Sequence, residues 1–175
     1  MSRRARARKG HPRRRIAATN AVQMAINGAR LLDEADVEGH VRHITRALTE
    51  FSCGVECQTH WLSLADTVNM TETFASMGIG SGPDAERVIN EARKALGDVH
   101  QRHAERGTWT LWADEIDALG WLVQLMSTQM RSASFRDFET AFARTKERIA
   151  QAMAGNASPG ARLVVGLMGR PQPGQ

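Results

Sequence analysis

A chain of 175 residues, 42% hydrophobic and 24% charged with a net charge of +4, is long enough for one domain with a real core and too apolar to be disordered throughout. No apolar run approaches the roughly 18 residues of a transmembrane helix, and two cysteines, Cys53 and Cys57, make no disulfide framework, so a reducing compartment is expected. The lack of Tyr, the scarcity of β-branched runs and the abundance of Ala, Leu, Met, Glu, Arg and Gln predict an all-α fold, a compact antiparallel bundle of about five helices with disordered termini.

Residues 1–15 stand apart as a basic arm. Arg3, Arg4, Arg6, Arg8, Lys9, Arg13, Arg14 and Arg15 supply 8 positive charges with no acidic residue, whereas the other 160 residues carry 15 basic and 19 acidic groups, a net of −4. The sequence pI of about 9.8 therefore belongs to the arm. Such an arm can bind DNA or RNA by neutralising phosphates and releasing counterions, or an anionic membrane or acidic protein. The plainer alternative is a solvated tail that binds nothing specifically. Gly10, Pro12 and the lack of apolar periodicity predict disorder for it. The arginines followed by IAATNAVQMAI have the outline of an export signal, but Asn20 and Gln23 interrupt the apolar part and no cleavage site follows, so a cytoplasmic protein is expected.

The domain is expected to run over residues 16–155. Between Ile16 and Leu32, Val22, Ala25, Ile26 and Ala29 have helical spacing weakened by Asn20, Asn27 and Gly28, which fits a short helix packed on the body. Asp33 reads as the cap of a first long helix with acidic residues in its opening turn, whose buried face would be Val37, Val41, Ile44, Leu48 and Phe51. Gly54 marks its end. The next helix, about Val55 to Met77, is the best defined. Trp61, Leu64, Val68, Thr71 and Ala75 fall three and four apart, Ala65, Phe74 and Met77 widen the stripe, and Asp66, Asn69, Glu72 and Ser76 fall elsewhere on its surface. Asn69, one residue round from Val68, is a candidate to pair with backbone groups between helices, a structural role in which Asn69→Ala lowers the melting temperature. Gly78 supplies a positive φ and Ile79 the apolar contact of a Schellman ending. Ser81 or Gly82 can cap a third helix that starts at about Pro83, runs to Arg106 and buries Ala85, Val88, Ile89, Ala92, Leu96 and Val99. Gly107 ends it. Short loops make these helices antiparallel neighbours.

Thr108 to Trp112 alternates like a strand but has no partner, so it is predicted to be an extended connector whose Trp109 and Leu111 plug the bundle. From Ala113, Asp114, Glu115 and Asp117 form an acidic first turn, and Ile116, Leu119, Leu122, Val123, Met126 and Met130 form the stripe of a fourth helix. Ser132 to Ser134 breaks the chain, with Ser134 and Asp137 spaced as a capping box. A last helix, about Phe135 to Met153, is expected to bury Phe135, Phe138, Phe142, Ile149 and Met153 and to end at Gly155. Residues 156–175, rich in Gly and Pro, are expected to be a disordered tail, although Leu163 to Met168 is apolar enough to dock.

From about Leu31 to Ile149 the pattern resembles an uncharacterised family of small all-helical proteins from proteobacterial genomes and prophages. The matching residues are Trp61, Leu64, Ala65, Asp66 and Asn69, then Gly78, Ile79 and Gly80, then Gly107, Trp109 and Leu111, then Glu115 and Leu119. The resemblance implies a helical fold and a mobile-element origin, covers about two-thirds of the chain, and carries no functional residue with it. The arm and the tail lie outside it.

Candidate chemistry is sparse. His40 and His43, Cys57 and His60, and His100 and His103 are each three apart, with Cys53 nearby, and such pairs can share an ion. No C-x2-C, H-E-x2-H or Glu-x2-His pair accompanies them, and exposed histidines with small buried thiols explain them as well, so no metal and no cofactor are assigned. Cys57 beside His60 could form a thiolate and base, but a cysteine packed as a small hydrophobe is the commoner case. GIGSG lies between helices rather than after a strand and is a turn, not a phosphate loop. The Met-rich faces, Met24, Met70, Met77, Met126 and Met130, suit a core or an adaptable groove. The expectation is a non-enzymatic accessory or regulatory interaction protein with non-specific nucleic-acid affinity through the arm. The alternative is an adaptor or inhibitor that binds one host protein through a helical face, its arm serving only solubility.

Overall fold

The computed structural model describes residues 25–154, and among them the chain is helical without a strand. The expectations for the basic arm, for Ile16 to Met24, for Gly155 and for the tail lie outside the described residues. Five long helices follow one another: α1 Glu34–Ser52, α2 Cys57–Ser76, α3 Ala85–Arg106, α4 Ala113–Ser132 and α5 Phe135–Met153. Residues 25–29 are helical too, and the segment after them is pinned to the α4–α5 junction. There the Leu32 N–H donates to the Ala133 carbonyl at 3.3 Å and the Phe135 N–H donates to the Arg30 carbonyl at 2.8 Å.

The helix ends are set by local chemistry. The Asp33 carboxylate accepts the Ala35 N–H at 3.1 Å and so satisfies one of the orphan donors of α1. At the end of α2, the Gly78 N–H donates to the Ala75 carbonyl and the Ile79 N–H to the Phe74 carbonyl, each at 3.0 Å, with φ of 76° at Gly78; these are the two bonds of a Schellman motif, and Ile79 packs onto the core beside them. Ser134 and Asp137 form the expected reciprocal capping box. Two starts differ from expectation. α2 begins at Cys57 because Val55 is spent on closing the turn onto the Glu50 carbonyl at 2.9 Å, with Glu56 left-handed at φ 39°. α3 begins at Ala85 with Asp84 as its cap residue, and the Ser81 hydroxyl donates back to Ala75 instead of capping.

α2 is the centre of the bundle and packs against each of the other four helices. Trp61, Leu64, Ala65, Val68 and Phe74 are fully buried along it, and the six apolar residues expected to face inward from α3 are all buried. A fully buried side chain of this kind contributes on the order of 1.5–3 kcal/mol. Trp109 and Leu111 pack against this core from the connector as expected.

Asn69 is not on the surface. It is 0% exposed, and neither amide atom finds a hydrogen-bond partner among the described residues, so it bridges no helices through its side chain. α5 departs further. Its contact with α2 runs through Phe138, Ala141, Thr145 and Arg148, where the Thr145 hydroxyl donates to Thr73 Oγ1 at 2.8 Å and Arg148 reaches Glu72 at 2.6 Å. At 3.6 residues per turn this face is rotated by roughly 75° from the expected apolar stripe. Phe135, Phe142 and Met153, expected to be buried, are therefore exposed, Phe142 by 53% and Met153 by 66%.

Candidate functional site

The nucleic-acid-binding residues assigned from sequence, Arg3, Arg4, Arg6, Arg8, Lys9, Arg13, Arg14 and Arg15, lie outside the described residues, and the geometry bears only on the body that carries them. Three arrangements in that body gather polar or apolar chemistry.

At one end, the connector inserts Trp109 between α1, α2 and α3. The ring of Trp109 stacks on His103 with centroids 4.0 Å apart and meets Phe51, Trp61 and His100 at 6.1–6.3 Å. The Trp61 indole N–H donates to the Leu96 carbonyl at 3.0 Å, which satisfies the polar edge of a fully buried ring. Burial, and then the neighbouring His103, hold the His100 imidazole below its ordinary value. His60 sits 2.9 Å from a Glu50 oxygen whose carboxyl is itself held down by the Arg46 guanidinium at 2.6 Å. The histidines are thus engaged by aromatic rings and a carboxylate. The Cys57 thiol points to the Trp109 carbonyl at 4.0 Å, and no group of three His, Cys, Asp or Glu side chains able to hold a metal exists among the described residues.

Beside this plug lies a buried ion pair that the sequence reading passed over. Arg102 on α3 reaches Glu115 on α4 at 2.5 Å, donates to the Thr110 carbonyl at 2.8 Å, and stacks on Trp112 at 4.0 Å. Glu115, 4% exposed, also accepts the Trp112 N–H at 2.8 Å and so holds the start of α4. The signal that could have found it is local: a glutamate three residues after the cap position of a helix reaches back to the cap N–H. The arginine thirteen residues upstream has no such sequence mark. On the outer side of this pair, Glu91, Lys94, Asp98, Asp114, Glu115, Asp117 and Trp121 line an acidic groove of about 360 Å³, and Trp121 is 62% exposed.

The third arrangement is the groove that the rotation of α5 opens. It has a volume of about 430 Å³ and lies between His40 and His43 of α1, Asp66 and Met70 of α2, Met126 of α4, and Phe138, Phe142 and Ile149 of α5. Burial holds the Asp66 carboxyl above and the His40 imidazole below its ordinary value, His43 adding to the latter, so the groove disfavours charge on both. None of the three places a nucleophile beside an oriented base. In comparisons with family models, curated proteins and solved structures, the chain finds no match.

Proposed function

We propose that this protein is a non-enzymatic accessory or regulatory interaction protein of the cytoplasm that holds DNA or RNA loosely through its Arg-rich arm, on a body of antiparallel helices. The observation that carries the reading is the separation of charge. Residues 25–154 hold 13 basic and 19 acidic side chains, a net of −6, against +8 in the first fifteen residues. Moreover, Arg30, Arg42, Arg46, Arg87, Arg93, Lys94, Arg102, Arg131 and Arg148 lie within ion-pair distance of carboxylates. A body of net −6, in which these nine of thirteen cations are so engaged, disfavours a phosphate backbone, and the arm, with eight cations and no carboxylate, is the element best suited to neutralise phosphates. Eight contacts on duplex DNA would give a log–log salt slope of magnitude up to about 7. The test compares the full chain with a version lacking residues 2–15 for retention on double- and single-stranded nucleic acid across a salt series. Retention that falls steeply with salt and disappears with the arm is expected; equal retention by both versions refutes the reading.

A second reading, an adaptor for one host protein, is favoured by the exposed Trp121 within the acidic groove of α3 and α4. That pairing of an aromatic face with carboxylates suits a basic segment of a partner. A pull-down from nuclease-treated and untreated lysate separates the two readings. Nucleic acid recovered only with the arm supports the first; one protein recovered equally with and without the arm, and lost on Trp121→Ala, supports the second.

A further inference from the structure

The acidic groove of α3 and α4 is only partly neutralised from within the fold. Glu91 pairs with Arg87 at 3.0 Å, Asp98 with Lys94 at 2.5 Å and Glu115 with Arg102 at 2.5 Å. Asp114 and Asp117, both exposed, have no cation within ion-pair distance among the described residues. Glu115 lines the groove too. It is 4% exposed, and its Oε1 finds no hydrogen-bond partner among the described residues. A buried acceptor left in that state is costly, so a donor arriving through the groove would be stabilising. The Lys94 ammonium is held above its ordinary value first by its bond to Asp98 and further by the charges of Asp114 and Glu115, so the field of the groove favours a cation.

Geometry narrows the kind of cation. Asp114, Asp117 and Trp121 follow one another three and four residues apart on α4 and share its groove-facing side. Trp121 leaves 62% of its surface open. Inside the fold, Arg102 lays its guanidinium over the Trp112 ring at 4.0 Å while bonded to Glu115, three residues further on. Trp121 with Asp117, four residues before it, repeats this pairing of indole face and carboxylate without the guanidinium. No three acidic side chains among the described residues converge on a point that could hold a metal ion. At about 360 Å³ the groove lies near the lower end of the roughly 300–1,000 Å³ range of small-ligand pockets, room for side chains and not for a folded element.

Building on the adaptor reading above, we infer that this groove is an arginine-recognition site: a guanidinium from a basic segment of a partner protein stacks on Trp121, bonds Asp117, and brings a further donor towards Asp114 and Glu115. A planar guanidinium satisfies the ring and the carboxylate together, which the compact, strongly hydrated ammonium of lysine does less well.

The test is calorimetric titration of the nuclease-treated full chain at low salt with a Gly/Ser peptide carrying three arginines and with its three-lysine counterpart, followed in parallel by the Trp121 indole N–H resonance. The arginine peptide should bind and shift that resonance, and the lysine peptide should bind at least about fivefold more weakly. Trp121→Ala and D114N/D117N should each lower the arginine affinity by at least about fivefold. All three positions are exposed, so the helical circular dichroism spectrum should stay unchanged. Equal affinity for the two peptides, unchanged affinity in either variant, or shifts confined to residues outside the groove overturns the inference. Peptide binding only by a version lacking residues 2–15 overturns it as well, because the occupant would then be this chain's own arm. Capture from lysate separates this result from the adaptor reading. A single protein retained through Trp121 without arginine preference refutes the guanidinium site alone, and arginine-selective peptide binding without a captured protein refutes the adaptor reading alone.

Discussion

The Arg102–Glu115 pair gives the sharpest test of how this bundle is held. Both side chains are buried, their charged ends are 2.5 Å apart, and the pair ties α3 to the connector through Thr110 and to the first turn of α4 through the Trp112 N–H. The arrangement is incompletely satisfied, since Arg102 Nε and Glu115 Oε1 find no partner among the described residues. Truncating one member strands the other charge in the interior, which costs about 3–5 kcal/mol; Glu115→Ala also removes the helix cap, a loss of about 1 kcal/mol. Removing both charges together relieves the desolvation that each imposes. R102M/E115L should therefore lose less than about 2 kcal/mol, and the cycle should show a coupling of at least about 3 kcal/mol. Urea unfolding followed by circular dichroism at neutral pH measures all four corners, with equal m-values as the check that two-state behaviour holds. Single substitutions that simply add, or Glu115→Ala costing under about 1 kcal/mol, would show that the pair is solvated and holds nothing.

Gly80 has φ of 58°, and a Cβ there would stand 2.9 Å from the Gln129 backbone, so Gly80→Ala should cost about 2–3 kcal/mol. Gly78→Ala, with a positive φ but open space, should cost about 1 kcal/mol; equal melting temperatures for the two would remove the steric argument. Asn69→Leu should raise the unfolding free energy by about 1–2 kcal/mol by removing a buried amide without a protein partner, and a loss of that size would instead reveal a bridging water. Burial holds His100 below its ordinary 6.5, so the unfolded chain takes up that proton first; the stability it contributes is full above about pH 6.5 and is lost as pH falls through the folded value. Thermal melts between about pH 7 and pH 5 should be less pH-dependent in His100→Phe than in the unsubstituted chain, and an identical slope would contradict the burial argument.

What could be read from the sequence was what neighbouring residues decide. Asp33, Gly78 with Ile79, Gly107 and the Ser134–Asp137 box punctuate the helices where their local chemistry predicts, because a cap is made within four residues of itself. The core face of α2 was legible for a similar reason, its apolar period being unbroken from Trp61 to Phe74. Periodicity is blind to polar groups that pair across helices. It placed Glu115 in an acidic first turn without seeing that Arg102 buries it, and it put Asn69 outside the stripe when neighbouring helices close over that side as well. The charge segregation behind the functional reading was legible as composition, but the ion pairing that engages nine of the thirteen cations of the body joins residues as far apart as Glu34 and Arg131.

The orientation of α5 shows why apolar period and buried face part company. Two interhelical polar contacts, Thr145 with Thr73 and Arg148 with Glu72, fix the face that meets α2. A hydroxyl pair is worth about 1 kcal/mol and a half-buried ion pair about 1–3 kcal/mol. Turning the helix back by a quarter-turn would bury more of Phe135, Phe142 and Met153, each worth up to about 1.5–3 kcal/mol when fully covered. The full apolar gain is not available, because the same turn would expose Ala141 and Thr145, now 0% and 5% exposed, and would break both polar contacts. Removing both polar contacts, as in T145V/R148M, should therefore loosen α5, with faster amide exchange along Phe138–Ile149 than in the unsubstituted chain, and unchanged exchange would mean that apolar packing alone fixes the orientation.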